Sequence, residues 1–195
     1  MIQIQLLNPE EIPEYLNELA NLRISVFREF PYLYEGDADY EAKYLQTYIK
    51  ARDAIVVLAW HENEIVGAAT GLPLDQEEEE FIKPIRDAGY DPESIFYFGE
   101  SVLLPKYRGQ GTGRIFIEQR EQHTRILNRF SYTSFCSVDR PEDHPARPQN
   151  YKPLDDFWKR HGYRPLSEVK VYFPWRDIGQ DKETNKPMTV WMKKL

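Results

Sequence analysis

The stretch from Val102 to Gln122, VLLPKYRGQGTGRIFIEQREQ, constrains the fold more than any other part of the chain. An apolar run meets three glycines in five residues, Gly109, Gly111 and Gly113, and a charged segment of helical character follows. A strand that feeds a glycine turn and opens a helix makes an anion site. Free N–H groups point outward at the helix start, and the helix dipole favours negative charge there. Glycine lets phosphate oxygens approach the backbone and supplies positive φ where the turn needs it. Arg108 and Arg114 add cationic charge on either side. A plain connecting turn requires none of this.

Spacing separates the motifs that share this physics. A P-loop ends in Gly-Lys-Ser/Thr, and GTGR does not supply it. A dinucleotide fingerprint counted from Gly109 and Gly111 puts its third glycine at Arg114. The pattern that fits is R-x-x-G-x-G, carried by Arg108, Gly111 and Gly113 and preceded by a strand and a proline.

A chain of 195 residues is long enough for one domain with a substantial core. Its formal net charge of −7 argues against a general nucleic-acid partner, which needs a basic surface, but leaves room for a local basic pocket. The single cysteine, Cys136, cannot form an internal disulfide or a cysteine-rich metal site, and its β-like setting YTSFCSV points to a buried, inert thiol. MIQIQLLNPEE has no basic n-region, and no run reaches the roughly 20 apolar residues that span a bilayer. The expectation is a cytoplasmic protein with no membrane partner and no metal. A homodimer stays open.

Along the chain, Ile2–Leu7 alternates as a strand with one buried face. NPEE reads as a helix start, with Asn8 as N-cap, Pro9 at the first helical position and Glu11 as the reciprocal capping-box residue. Apolar residues at helical spacing then run from Ile12 to Phe30. A second helix is expected at about 40–51, and AIVVLAW and EIVGAATGLPL form a hairpin across HEN. Residues 75–94 read as a helical or loop insertion, with Glu77 to Glu80 as a solvated loop or helix start. SIFYFGESVLL is the third apolar strand, SYTSFCSV the next, and EVKVYF and MTVWMKKL the last two. The proline-rich stretch 139–154 is a long ordered loop, and the short helix LDDFWKRH ends at Gly162. No repeat and no separating linker occurs, so residues 1–195 are expected to form a single domain. The fold class is α+β, a central mixed, mostly antiparallel sheet flanked by helices.

LLPKYRGQGTG resembles the x-V/L-x-P-x-Y-R-G-x-G-x-G pattern of the acyl-CoA N-acyltransferases of the GNAT superfamily. The hairpin resembles that family's second and third strands, and DDFWKRHGY its late helix. The resemblance follows the order of elements along nearly the whole chain, with 75–94 as the main excess. It implies a soluble N-acetyltransferase that uses acetyl-CoA as co-substrate and an amine, small molecule or peptide, as acceptor. Backbone N–H groups of Gly109, Gln110, Gly111, Thr112, Gly113 and Arg114 would cradle the pyrophosphate beside Arg108. Main-chain groups of Val102, Leu103 and Leu104 would pair with the pantetheine arm like an added strand. Asn150 resembles an asparagine that contacts this arm.

Acetyl transfer to an amine needs a proton acceptor, a polarised thioester and a protonated leaving thiolate. Strand periodicity puts Glu100 on one face with Phe96, Phe98, Val102 and Leu104, as the lone charge there. That makes it the candidate general base, and the resemblance supports it. The alternative is an ion pair with Arg23 or Arg28 of the first helix, and a bulge would invert the face. Trp158 stands where the family carries an acid tyrosine, and indole cannot donate a useful proton to sulfur. Tyr151 is the nearest replacement. Tyr32, Tyr34 and Glu35 fall where the family places its acceptor wall and would suit a cationic amine. Trp158 also keeps open a non-catalytic acyl-CoA-binding module on the same fold.

Overall fold

The computed structural model describes all 195 residues. The first strand, β1 (Ile2–Leu7), pairs antiparallel with β2 (Ile55–His61), and β2 with β3 (Glu64–Pro73). Next comes β4 (Ile95–Tyr97), then β6 (Tyr132–Val138), β8 (Thr184–Lys194) and, at the far edge, β7 (Arg164–Trp175). β5 (Ser101–Leu103) pairs only with β3. Every pairing is antiparallel except β4 with β6. This is the mixed, mostly antiparallel sheet expected.

Helices cover both faces. α1 (Leu16–Phe27), α2 (Ala38–Lys50) and α3 (Glu79–Asp87) bury Leu19, Leu45, Tyr48 and Phe81 against one side. α4 (Thr112–Leu127) and α5 (Asp155–Arg160) cover the other, where Phe116 and Ile117 meet Phe96, Phe98 and Trp191.

The helix expected from Asn8 onward begins later. The capping-box bond is made, Asn8 N–H donating to Glu11 Oε2 at 2.8 Å. Pro13 then has no N–H for an α-helical bond and fixes a 3-10 turn over Ile12–Tyr15, so regular helix starts at Leu16. Ile12 still reaches the core, fully buried. Both last strands are longer than their apolar runs, because β7 and β8 continue as a hairpin past the covered sheet.

Residues 75–94, expected from the sequence as a helical or loop insertion, carry α3 between two 3-10 turns. α3 drives Phe81, Ile82 and Ile85 into the core while Glu78, Glu79 and Glu80 stay exposed. Glu77 departs from the solvated reading: it is 8% exposed, its Oε2 accepts from the Glu78 N–H, and its Oε1 has no hydrogen-bond partner. Burial pushes its carboxyl up to about 7, against the pull of that N–H. A carboxyl whose pKa rises on folding is harmless while protonated, below its unfolded range near 4.5, and costs stability as pH climbs through 7. Glu77→Gln should therefore leave the melting temperature nearly unchanged at pH 4 and raise it at pH 8, by the equivalent of about 3 kcal/mol at most. A variant equally or less stable at pH 8 would show that Glu77 is ionised and satisfied.

Candidate active site

β4 and β5 lie on one run of chain but do not form one strand. β4 keeps to β6 as far as Phe98, whose N–H donates to Ser134 O at 2.7 Å. Beyond Phe98 the chain follows β3 as β5, while β6 follows β8, and the sheet opens into a wedge. The alternation slips by one residue at this break. Phe96 and Phe98 face α4, whereas Glu100 and Val102 face α1 and α2. Glu100 thus does not share a face with the two phenylalanines, and its neighbours are charged and phenolic rather than apolar.

Two residues hold the break. Gly99 is required because a Cβ there would sit 1.8 Å from the Tyr48 hydroxyl. Arg120 of α4, 2% exposed, caps the loosened carbonyls: Nη1 donates to Thr70 O at 3.0 Å and to Glu100 O at 3.1 Å, and Nη2 to Ser101 Oγ at 2.7 Å. Burial lowers its pKa to about 10, which still leaves it a cation at neutral pH. Its guanidinium lies 4.2 Å from the centre of the Phe98 ring. With Leu104 N–H donating to Val66 O and Thr70 N–H to Glu100 O, the antiparallel alternation turns Val102 and Leu104 toward β3. Ser101 and Leu103 are left to present main-chain groups to the wedge, and Leu103 O already accepts from Arg108 Nε at 2.8 Å.

At the wide end of the wedge lies the glycine turn. Gly109 and Gly111 have φ of +74° and +91°, and Gly111 is the N-cap of α4 without any side-chain cap. The N–H groups of Gly109, Gln110, Gly111, Thr112 and Gly113 have no acceptor within the protein. Arg114 differs, because its N–H donates to Gly111 O at 3.0 Å, so the run of open donors ends at Gly113. Five consecutive free donors at the start of a 16-residue helix fit a pyrophosphate. Arg108 also bridges to Glu29 at 2.8 Å and Arg114 to Glu118 at 3.7 Å; both arginines are exposed.

Across the sheet from α4, Arg23 of α1 joins two buried carboxylates. Nε binds Glu41 Oε2 and Nη1 binds Glu100 Oε1 at 2.8 Å. Burial opposes the guanidinium charge, but Glu100, Tyr44 and Glu41 outweigh it and hold the proton firmly. Tyr44 and Tyr48 donate to Glu100 Oε2 over 3.2 and 3.4 Å, and burial and the Glu100 charge push both phenols up. Arg23, Glu41 and Glu100 all line a cavity of about 90 Å³. Phe27, Tyr32, Tyr34, Tyr40, Phe81 and Trp175 are among the residues that complete its wall.

The remaining sequence candidates fall in different places. Tyr32 and Tyr34 line the cavity, whereas Glu35 does not: it pairs with Arg28 at 2.7 Å on the outside. Tyr151, half-buried, packs edge-on against Phe30 at 4.7 Å, with Arg147 5.1 Å from its ring. Asn150 is exposed on the same loop. Trp158 packs at a tilt against Phe135 and Trp191, with ring centres 5.1 and 5.0 Å away, in the layer under α5. Cys136 is buried in β6, its thiol pushed up to about 12 by burial. The charges of the 139–154 loop are partly structural, for Arg140 ties it to Asp177 and to the carbonyls of Pro31 and Tyr32. Sequence reasoning missed Glu41, Arg120 and Glu77. Each sits on an amphipathic stretch where a charge looks solvated, and no local signal marked them.

The site thus combines a sheet that splits, a cradle of free N–H groups beside the split and a carboxylate-lined cavity at the break. Residues 17–163 match the acetyltransferase (GNAT) family, and the chain belongs to it. No curated protein matches the chain. Solved structures do. Arabidopsis thaliana NAA60 in complex with acetyl-CoA aligns with a TM-score of 0.63 at 15% identity, over 100% of this chain and 99% of the other. An acetyltransferase from Streptococcus agalactiae aligns at 0.61 and 17%, covering 98% of each chain. Escherichia coli ElaA aligns at 0.58 and 18%, covering 100% of each. These likenesses establish the shared fold.

Proposed function

We propose that the protein transfers an acetyl group from acetyl-CoA to an amine by direct attack in a ternary complex. The observation that carries this reading is the open wedge leading from the five free N–H groups of Gly109–Gly113 to Glu100. The pyrophosphate sits on those donors with Arg108 beside it, and the pantetheine arm pairs with the edge at Ser101 and Leu103. That two structures of this fold are complexes with acetyl-CoA and with a bisubstrate analogue supports the same reading.

Glu100 is the proton acceptor. Its Oε1 is held by Arg23, which fixes the carboxylate, while Oε2 has only two long phenol bonds to give up. The ammonium loses a proton to Oε2, directly or through the Tyr44 hydroxyl. The amine nitrogen then bonds to the acetyl carbonyl carbon, and the carbon–sulfur bond breaks. The thiolate leaves with the electron pair and takes the proton released by the new amide. A thiol of ordinary acidity, about 8.5, can leave without a dedicated acid, so the reading does not depend on Tyr151.

Two measurements test it together. CoA at a hundred times its dissociation constant should raise the melting temperature by about 5–10 °C, and ATP should not. An amine panel scored by free-thiol release from acetyl-CoA should then show turnover. A shift with CoA but no turnover with any amine would turn the reading into a binding module, and a shift with ATP alone would remove it.

A further inference from the structure

We infer that the cavity beside Glu100 selects acceptors whose ammonium sits on an apolar stem, and that Glu41 is the residue that anchors this ammonium. The inference deepens the proposed amine acetylation and rests on it for the cavity's role.

Consider first which polar atoms of the wall are already committed. Arg23 spends one arm of its fork on Glu41 Oε2 and another on Glu100 Oε1. Glu100 Oε2 accepts from Tyr44 and Tyr48. Glu41 is fully buried and its Oε1 makes no hydrogen bond, although the Tyr34 phenol, pushed up by burial, is close enough to be pushed up further by the Glu41 charge. A buried carboxylate oxygen without a donor is costly, and a ligand N–H is the natural way to satisfy it. The three ionised groups sum to one net negative charge, which an ammonium neutralises. Beside Trp175, Arg140 and Lys186 share the single carboxylate Asp177, which leaves one positive charge against the Trp175 ring and out of contact with Glu41 and Glu100. One guanidinium holds both carboxylates, and Glu41 and Glu100 line the same cavity. An ammonium anchored on Glu41 Oε1 is thereby held in the cavity that Glu100 also lines.

The rest of the wall sets the stem. The apolar lining of Phe27, Phe81, Phe173, Trp175 and Met188 favours a cation with an apolar body, and beyond Glu41 and Glu100 it holds no further carboxylate for a second ammonium. At about 90 Å³ the cavity corresponds to roughly three waters of liquid volume, enough for the ammonium and its first few carbons. A larger acceptor enters by its amine end only. Both a free alkyl or arylalkyl amine and a peptide amino terminus with an apolar first side chain share this chemistry.

The test is calorimetric binding to the wild-type protein without acetyl-CoA, so it does not depend on transfer. n-Butylamine, 2-phenylethylamine, the neutral isostere n-butanol, spermidine, and the dipeptide Leu-Ala with its N-acetylated form are titrated in parallel. We expect the two apolar amines to bind, n-butanol to be about 10- to 100-fold weaker, as loss of a charge-assisted hydrogen bond requires, and spermidine to be weaker than n-butylamine. Binding of Leu-Ala but not of its acetylated form would identify the peptide source, and binding of the free amines alone the small-molecule source. Glu41→Gln should weaken n-butylamine by a similar factor, and the outer carboxylate variant Glu35→Gln should leave it unchanged. If Glu41→Gln fails to fold, the comparison of amine with alcohol decides alone. Equal affinity for n-butylamine and n-butanol, tighter spermidine, or a Glu41→Gln variant with native affinity overturns the inference. Glu41-dependent amine binding without thiol release would leave the inference standing and remove the acetylation reading instead.

Discussion

Arg23→Met should destabilise the protein by about 3–5 kcal/mol at neutral pH, the largest stability effect of any single substitution near the site. The guanidinium is the only cation in contact with two carboxylates, one fully buried and the other 8% exposed. Methionine fills much of the same volume but leaves both charges in a low-dielectric wall, and that stranded charge is the cost, more than the lost bonds. Adding Glu41→Gln and Glu100→Gln to Arg23→Met should recover most of the stability, since a buried ionic cluster is often matched by neutral groups of its own shape. On the proposed mechanism activity would not return with it, because the triple variant lacks the proposed proton acceptor and the proposed amine anchor. Denaturant unfolding at pH 8 on the wild type, the single variant and the triple variant separates these terms. A single variant within 1 kcal/mol of wild type at pH 8 would mean that water reaches the carboxylates and the cluster is not a buried one.

This cluster also shows where the sequence is legible and where it is not. The strands were readable because alternation and β-branched runs report a half-buried surface locally. The glycine turn was readable because its chemistry is carried by consecutive residues, so spacing alone separates it from other phosphate loops. Pro13 shortened the first helix, and that too was a local signal, one outweighed by the apolar stripe on either side of it. The break at Gly99 was different. It depends on the Tyr48 hydroxyl, which lies 51 positions away and occupies the space of a Cβ, so periodicity carried the strand straight through and put Glu100 on the wrong face. Glu41 and Glu77 look like ordinary surface acids on stretches rich in them. Only the folding of α2 and the insertion over the sheet buries them. The glycine turn is thus written in one segment, whereas the cavity proposed for the acceptor is assembled from α1, α2, the β4–β5 break and β7.

Gly111→Val tests the donor side, with the largest expected effect on binding. Gly111 holds φ at +91°, where a β-branched residue is strained by about 1–3 kcal/mol, yet a Cβ there meets no atom within 4 Å. The variant should therefore fold, a few degrees less stable, with the strain relieved by rotating the turn. That rotation is what matters for binding, because the N–H groups on either side of Gly111 converge on one anion only while it is left-handed. Loss of that convergence should weaken CoA by about 100-fold or more, two charge-assisted hydrogen bonds' worth, and remove its thermal shift. Gly89→Val supplies the control. Gly89 has a φ of +88° and equally open surroundings, at the far end of the insertion, so it carries the same backbone strain without the anion site. It should lose comparable stability and keep native CoA affinity. If both variants lose CoA equally, strain spreading through the fold explains the effect. If Gly111→Val still binds, the anion is not held at this turn.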